Sequence, residues 1–275
     1  QLNFRRMNFT LIGDEGKPWR RAIAIAAGVL LLLAVLIFGR AERQLMSSAE
    51  VKTVQERGVL RIGVIPDMPG VELERELGRR IAAKLLPEAD PESRAVFRDV
   101  TTMTAGTSID DGTVDMVIAH MASQMSAKYT YSDSYYTEEC ILVVKSGTSA
   151  FALKNFTVGY IQSNRLRKTA EDITLKEYLA AGGSQSMEKR AYASYSDMLA
   201  ALDRGEIGGA VLPRQVFNEL RTQYPITETT LVIGTIDYKV MCPGDSTVLS
   251  ELASIVIRQM RDSGELAELY AQYGW

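Results

Sequence analysis

Few residues of this chain are of the types that hold metals or form covalent cross-links. Its 275 residues include one histidine, His120, and two cysteines, Cys140 and Cys242. Structural zinc and haem sites need several such ligands at short spacings, so we expect no metal and no cofactor. A basic excess is missing too, since the net charge is -3. Nucleic acid is therefore not expected as a partner.

Residues 22–39 contain no charged side chain, and this absence points to a particular structure instead of excluding one. The run AIAIAAGVLLLLAVLIFG would form a helix about 27 Å long, close to the hydrocarbon thickness of a bilayer. It predicts a transmembrane helix, with a cleaved signal peptide as the alternative that Gly39 and Ala41 leave open. Basic residues are denser before the run than after it. This asymmetry predicts a bacterial inner-membrane protein with a cytoplasmic N-terminus and a periplasmic domain.

The rest of the chain divides into three segments by composition. Residues 1–21 are expected to be cytoplasmic, and Gln1 in place of Met predicts that an upstream stretch is omitted from the numbering. Residues 40–57 are polar and contain no interior Gly or Pro, which predicts a helical stalk. Residues 58–275 are expected to form the folded domain.

Strand and helix patterns alternate within the predicted domain. VLRIGVI, at residues 59–65, is a buried-strand pattern, and Leu73, Leu77, Ile81 and Leu85 then recur at helical spacing. The same alternation repeats after residue 156. Alternating strands and helices favour parallel sheets covered by helices, so the sequence predicts an α/β domain with two lobes.

Five segments, in order, carry a resemblance to a known family. They are GVLRIGV, DGTVDMVIAHM, YSDSYYTEECILVVKSG, YSDMLAALDRGEIGGAV and SGELAELYAQYG. They resemble the periplasmic solute-binding proteins that capture polar amino acids for ABC transporters. The resemblance implies two parallel-sheet lobes joined by two crossing strands, with a ligand cleft between them. The implied bounds are lobe 1 at 58–146 and 238–275, lobe 2 at 150–234, and crossings at 145–150 and 234–238.

The same resemblance implies a ligand clamp that this chain lacks. The family holds an amino acid with an arginine, an aspartate and an aromatic side chain. Here the stretch expected to hold the arginine offers only Lys128, Pro213 stands where the aspartate is expected, and the opening loop IPDMPG has no aromatic residue. A compact ammonium group does not reproduce a guanidinium fork. The cleft residues that remain as candidates are Asp67, Met68, Met121, Ser123 and Arg214.

A further candidate is the loop of Ser163, Asn164 and Arg165. It lies at a predicted strand-to-helix turn, where backbone N–H groups bind anions. The loop therefore predicts a site for a small anionic ligand or an acidic partner loop. The alternative is that Ser163 or Asn164 caps a helix and Arg165 lies on a solvated face.

The family layout also makes the strands of the two cysteines antiparallel neighbours. Pairing Lys145 with Tyr238 brings Cys140 and Cys242 within one residue of register, which predicts a disulfide on the oxidising side of the membrane. The alternative is two buried thiols that pack as small apolar groups. His120 has no nucleophile in a recognised motif, so we expect a core or cleft histidine and no enzyme.

Two functional hypotheses follow. The first is a non-catalytic scaffold, an accessory subunit of a respiratory, photosynthetic or transport assembly. Its partners would be other membrane-protein subunits, bound through the transmembrane helix and the periplasmic domain, and the lipid bilayer. The second is an anchored receptor for an ABC transporter or sensor, with a ligand other than a standard amino acid. The missing clamp favours the scaffold, and the two-lobed architecture favours the receptor.

Overall fold

The structure of the chain is a computed structural model. It describes residues 18–123, 128–148, 156–161 and 187–275. Two compact units can be separated, residues 1–47 and residues 48–275. Each unit is described by itself.

The first unit contains helix α1 (Pro18–Met46). Its apolar side chains face no protein, and Leu31 and Phe38 are 70% and 75% exposed. The span Ala22–Met46 has a mean hydropathy of 2.9 and, within the described residues, is the one helix long and apolar enough to cross a membrane. The helix extends past the predicted end at Gly39 because the polar residues that follow are also good helix formers.

Helix α2 (Ala49–Arg57) belongs to the second unit. Ser48 caps it, because its Oγ accepts a hydrogen bond from the Val51 N–H at 3.3 Å. Val51 and Val54 are buried, so one face of α2 packs into the domain. The predicted stalk at 40–57 is therefore divided, and the domain unit runs from Ser48 rather than from Gly58.

An ion-pair network attaches the end of α2 to the sheet. The Asp115 carboxylate lies 2.5 Å from Nη2 of Arg57 and 2.9 Å from Nη2 of Arg61, and it also accepts the Arg61 backbone N–H. The Asp115 side chain is only 11% exposed. Charge-assisted hydrogen bonds at a partly buried carboxylate are stronger than ion pairs on an exposed surface.

Eight strands and seven helices are described in this unit. After α2 come β1 (Leu60–Val64), α3 (Val71–Leu85), β2 (Ala95–Asp99), α4 (Ala105–Asp110), β3 (Met116–Val117) and β4 (Tyr129–Lys145). Next come β5 (Phe156–Ile161), β6 (Met187–Tyr192), α5 (Tyr195–Asp203), β7 (Gly209–Pro213) and α6 (Arg214–Leu220). The last elements are β8 (Ile226–Pro243), α7 (Val248–Ser263) and α8 (Glu265–Tyr273).

The strands form one continuous sheet in the order β2-β1-β3-β8-β4-β7-β5-β6. β1 pairs in parallel with β2 and β3, and β5 pairs in parallel with β6 and β7. The two long central strands, β4 and β8, run antiparallel to each other. The predicted α/β class is confirmed, but the crossing strands form the centre of one mixed sheet instead of linking two separate sheets.

The register of β4 and β8 shows where the chain passes between the lobes. Lobe 1 is built on β1, β2 and β3, and lobe 2 on β5, β6 and β7. β4 begins to pair with β7 at Cys140, which also lies opposite Gly234 of β8. The first crossing is therefore near 138–140, earlier than the predicted 145–150, because the apolar end of β4 pairs within lobe 2. The second crossing, at 234–236, overlaps the predicted 234–238.

The predicted disulfide is wrong. Tyr238 pairs with Tyr136, not with Lys145, so Cys242 lies opposite Thr130 while Cys140 lies opposite Gly234. Eight strand positions separate the two cysteines, a distance of roughly 26 Å at about 3.3 Å per residue. A disulfide needs Cα atoms within about 7 Å of each other. Both side chains are buried without forming a disulfide.

Candidate functional site

The edge of lobe 1 that faces lobe 2 is formed where β1 and β3 end and α3 begins. Gly70 precedes α3 with φ 78°, and His120 follows β3 with φ 54°. Positive φ is rare for a residue other than glycine and marks a strained backbone position. Tyr136 and Tyr238 lie opposite each other in the β4–β8 ladder, just before the crossing. These four positions define the cleft edge of lobe 1.

A buried carboxylate lies directly behind this edge. The Glu74 side chain is 0% exposed, and its Oε1 accepts hydrogen bonds from the His120 backbone N–H at 2.7 Å and from the Tyr135 hydroxyl at 2.6 Å. Nδ1 of His120 lies 2.8 Å from the same oxygen but is not aligned for a hydrogen bond. Oε2 of Glu74 is buried and has no hydrogen-bond partner among the residues that the structure describes. Burial, and then the charge of Glu74, raises the pKa of Tyr135 well above its ordinary value.

Aromatic rings surround His120. Its ring centroid lies 4.5 Å from that of Tyr238 and 4.9 Å from that of Trp275. Tyr136 meets Trp275 edge-on at 4.7 Å. Burial, followed by the charge of Glu138, raises the pKa of Tyr136 to about 12. The rings therefore close the cleft edge of lobe 1 with neutral apolar surface.

Trp275 lies over the start of α3. A Cβ atom added to Gly70 would be 1.9 Å from the Trp275 Nε1 atom, so only glycine permits this approach. The indole N–H is buried and has no acceptor. The Trp275 backbone N–H donates to the Tyr270 carbonyl at 3.0 Å. The indole is thus held by packing and not by a hydrogen bond of its own.

The facing edge of lobe 2 has a different character. Arg214 follows β7 and lies 2.8 Å from the Glu139 carboxylate and 2.7 Å from the Glu228 carboxylate. The three side chains are 34%, 46% and 44% exposed. Hydrogen bonding to Glu228 raises the pKa of Arg214. The guanidinium, a predicted ligand group, is already bound by carboxylates of the two crossing strands.

The other predicted site residues are scattered. Asp67 and Ser123 are exposed, and Met68 is half-buried in the turn after β1. Met121 is completely buried and packs in a core cluster with Val117. Met121 therefore belongs to the core of lobe 1 and does not line the cleft, since its side chain follows the inward face of β3.

Ser163, Asn164 and Arg165 lie outside the described residues. The anion site at this loop stays a prediction.

The sequence analysis missed Glu74 and Trp275. Glu74 had a signal, because it lies within the apolar stripe of Leu73, Leu77 and Ile81, and a carboxylate on the buried face of a helix needs a partner. Trp275 had no local signal. Its position depends on how α8 packs against α3.

A surface depression of about 390 Å³ lies at the opposite end of lobe 1 from the cleft edge. Its walls come from α2, the end of α4 and the segment after β8, and they include Glu50, Asp110, Asp111 and Asp245. The Ser246 hydroxyl, by hydrogen bonding, lowers the pKa of Glu50. Across the part of the chain that the structure describes, no three His, Cys, Asp or Glu side chains meet as a metal ion requires.

Comparison with protein families matches residues 68–275 to the bacterial extracellular solute-binding proteins, family 3. The match begins after β1 and includes the rest of both lobes and the cleft edge, and the chain belongs to this family. No curated protein sequence matches the chain significantly.

Solved structures share the fold. The probable amino-acid ABC transporter extracellular-binding protein ytmK from Bacillus subtilis has a TM-score of 0.62 at 14% identity, covering 78% of this chain and 97% of that one. The arginine-bound substrate-binding protein AbpA from Streptococcus pneumoniae has a TM-score of 0.57 at 18% identity, with coverage of 81% and 97%. AncCDT-1, an ancestral amino-acid-binding protein described as a precursor of cyclohexadienyl dehydratase, has a TM-score of 0.59 at 15% identity, with coverage of 82% and 99%. These likenesses establish the fold and not the ligand.

Proposed function

We propose that the chain is a membrane-tethered receptor that holds a small solute between its two lobes and does not transform it chemically. The observation that carries this proposal is the hinge. In the described residues the lobes are joined through β4 and β8, and the register of this pair shifts at four places, of which two, Cys140–Ile141 and Ile141–Val143, lie beside the crossing. Irregular pairing concentrates bending in a few residues, as closure around a solute requires.

Two further observations support the proposal. Helix α1 is long and apolar enough to cross a membrane, as an anchor for the domain requires. His120 is buried between two rings beside Glu74, which is unsuited to general-base chemistry on a solute in the open cleft. Solved relatives named as amino-acid-binding proteins suggest a solute of similar size.

Distance measurement across the cleft tests the receptor. Ser123→Cys and Ala193→Cys, both at exposed positions, would carry spin labels on the full chain in nanodiscs, and the buried native thiols would stay unlabelled. A solute panel should contain one member that shortens the label distance and narrows its distribution. If no solute changes the distribution, the receptor proposal fails.

The accessory-subunit hypothesis remains a second candidate because Arg214 is bound by Glu139 and Glu228, so it is not available as a ligand fork. This role predicts stable co-purification with other membrane subunits. Purification of the full chain from native membranes in mild detergent, followed by native mass spectrometry, tests it. A monomeric protein in that experiment would contradict the accessory role.

A further inference from the structure

Glu74 is buried, and among the described residues only one of its two carboxylate oxygens accepts hydrogen bonds. Oε1 accepts two hydrogen bonds, whereas Oε2 has none. A buried carboxylate oxygen without a donor is unfavourable, because the water it has lost is not replaced by another hydrogen bond. Such a group in a native fold indicates a missing partner that donates hydrogen bonds.

The surroundings of Glu74 specify the charge of that partner. Glu74 of α3 accepts a hydrogen bond from the Tyr135 hydroxyl, and the buried Glu138 lies two residues from Tyr136 on β4, so carboxylates lie beside this ring cluster on both α3 and β4. Arg261 is bound to the Ser134 carbonyl. A second anion would be repelled here, whereas a cation is attracted by the carboxylates and by the faces of aromatic rings.

Trp275 packs against the rings that lie beside Glu74. It contacts the His120 ring at 4.9 Å and Tyr136 at 4.7 Å, and its own indole N–H is buried without an acceptor. Gly274, with φ 73°, precedes it and allows the backbone to turn at this point. Swinging the indole away would remove one unfavourable buried donor and expose the rings of Tyr136 and Tyr238.

We infer that Trp275 is a displaceable cover over an amine-binding site, in which an alkylammonium group binds Glu74 against the rings of Tyr136 and Tyr238. The inference rests on the proposed receptor function and names its solute class. The strained φ of His120 is consistent with such a site. In this conformation the His120 backbone N–H donates to Oε1 of Glu74, and Oε2 is left for the solute.

Fluorescence gives the first test. The chain has two tryptophans, so Trp19→Phe makes Trp275 the single reporter in the full chain in detergent. n-Butylammonium should quench or shift the Trp275 emission in a saturable manner. n-Butanol, of the same length but neutral, and butyrate, of opposite charge, should have no such effect. Equal responses to all three would overturn the inference.

Calorimetry with two variants gives the second test. Glu74→Gln keeps the size of the side chain and removes its charge, and it should weaken n-butylammonium binding at least tenfold. Trp275→Leu leaves Glu74 in place and removes the cover, and it should tighten binding several-fold. Circular dichroism reports whether each variant is folded. If Glu74→Gln does not fold, the affinity of Trp275→Leu for n-butylammonium becomes the test. An affinity within twofold of that of the parent chain would refute the role of Trp275 as a cover.

These tests separate the inference from the receptor proposal. A solute that closes the spin-labelled cleft without changing the Trp275 emission would leave the receptor standing and overturn the amine site. A complete lack of response, both to the solute panel and to n-butylammonium, would overturn both.

Discussion

The two facing edges of the cleft are stabilised by different interactions. The lobe 1 edge depends on buried contacts among Glu74, Tyr135 and Trp275, whereas the lobe 2 edge depends on the exposed ion pairs of Arg214. Exposed ion pairs contribute about 0–1 kcal/mol, while buried hydrogen bonds to charged groups contribute about 1.5–3 kcal/mol. The stability of the domain should therefore depend far more on the lobe 1 edge.

Gly70→Ala should give the largest effect, because it combines a positive φ with displacement of the Trp275 indole from its packing. We expect a loss of about 2–5 kcal/mol in the free energy of unfolding, from about 1–2 kcal/mol of backbone strain and about 1–3 kcal/mol of lost indole packing. Urea unfolding of the full chain in detergent, followed by circular dichroism, measures this loss.

Gly58→Ala is the matched control. Gly58 has φ 76°, close to that of Gly70, but nothing lies within 4 Å of an added Cβ. Its free energy of unfolding should fall only by the cost of the backbone strain, about 1–2 kcal/mol. Equal losses in the two variants would mean that Trp275 does not pack against α3.

Tyr135→Phe comes next in size. The hydroxyl of this fully buried side chain donates to Oε1 of Glu74 at 2.6 Å. Its removal should destabilise the domain by about 1.5–3 kcal/mol. Tyr136→Phe, in a half-buried neighbour, should cost less. If the Tyr135→Phe variant unfolded at the same urea concentration as the parent chain, the proposed difference in stability between the two edges would be wrong.

Arg214→Ala probes the lobe 2 edge. Both of its carboxylate partners are more than two-fifths exposed, so salt and water already weaken the pairs. We expect a loss below about 1 kcal/mol, shrinking further in high salt. A loss larger than that of Tyr135→Phe would reverse the ranking of the two edges.

Reduction should have the smallest effect, since no bond joins the lobes through cysteine. Cys140 pairs with β7 of lobe 2, and Cys242 lies in lobe 1 at the far end of β8. Burial raises the pKa of the Cys242 thiol, so alkylation of native protein at neutral pH should be negligible. Dithiothreitol should leave the unfolding transition unchanged. A cross-linked peptide in a non-reduced digest would contradict this register.

Several features could be predicted because they depend on local chemistry. The helix of residues 22–39 follows from an uncharged run, and α3 follows from the spacing of Leu73, Leu77 and Ile81. Glu74 lies on that same buried face, so a polar residue inside an apolar stripe could have identified the buried site. The segment order also predicted the two-lobed fold and the family.

The cysteine pairing could not be predicted. The β4–β8 ladder contains register shifts before Tyr136 and after Cys140, so the alternation of side chains does not fix a single register along the pair, and local pattern does not choose between Tyr136 and Lys145 as the partner of Tyr238. The packing of both lobes selects the register. The packing of α2 could not be predicted either. Its two valines are buried because α3 and α7 pack against α2, and the local sequence does not show which helices do so.

The amino-acid sequence by itself therefore determined the apolar helix, the α/β alternation and the family. Tertiary structure alone decided that Arg214 is bound by Glu139 and Glu228, and that Trp275 packs against Gly70 and the His120 ring. The physical reason is distance along the chain. Trp275 and Gly70 are about 200 residues apart in sequence, and only the packing of α8 against α3 brings them together.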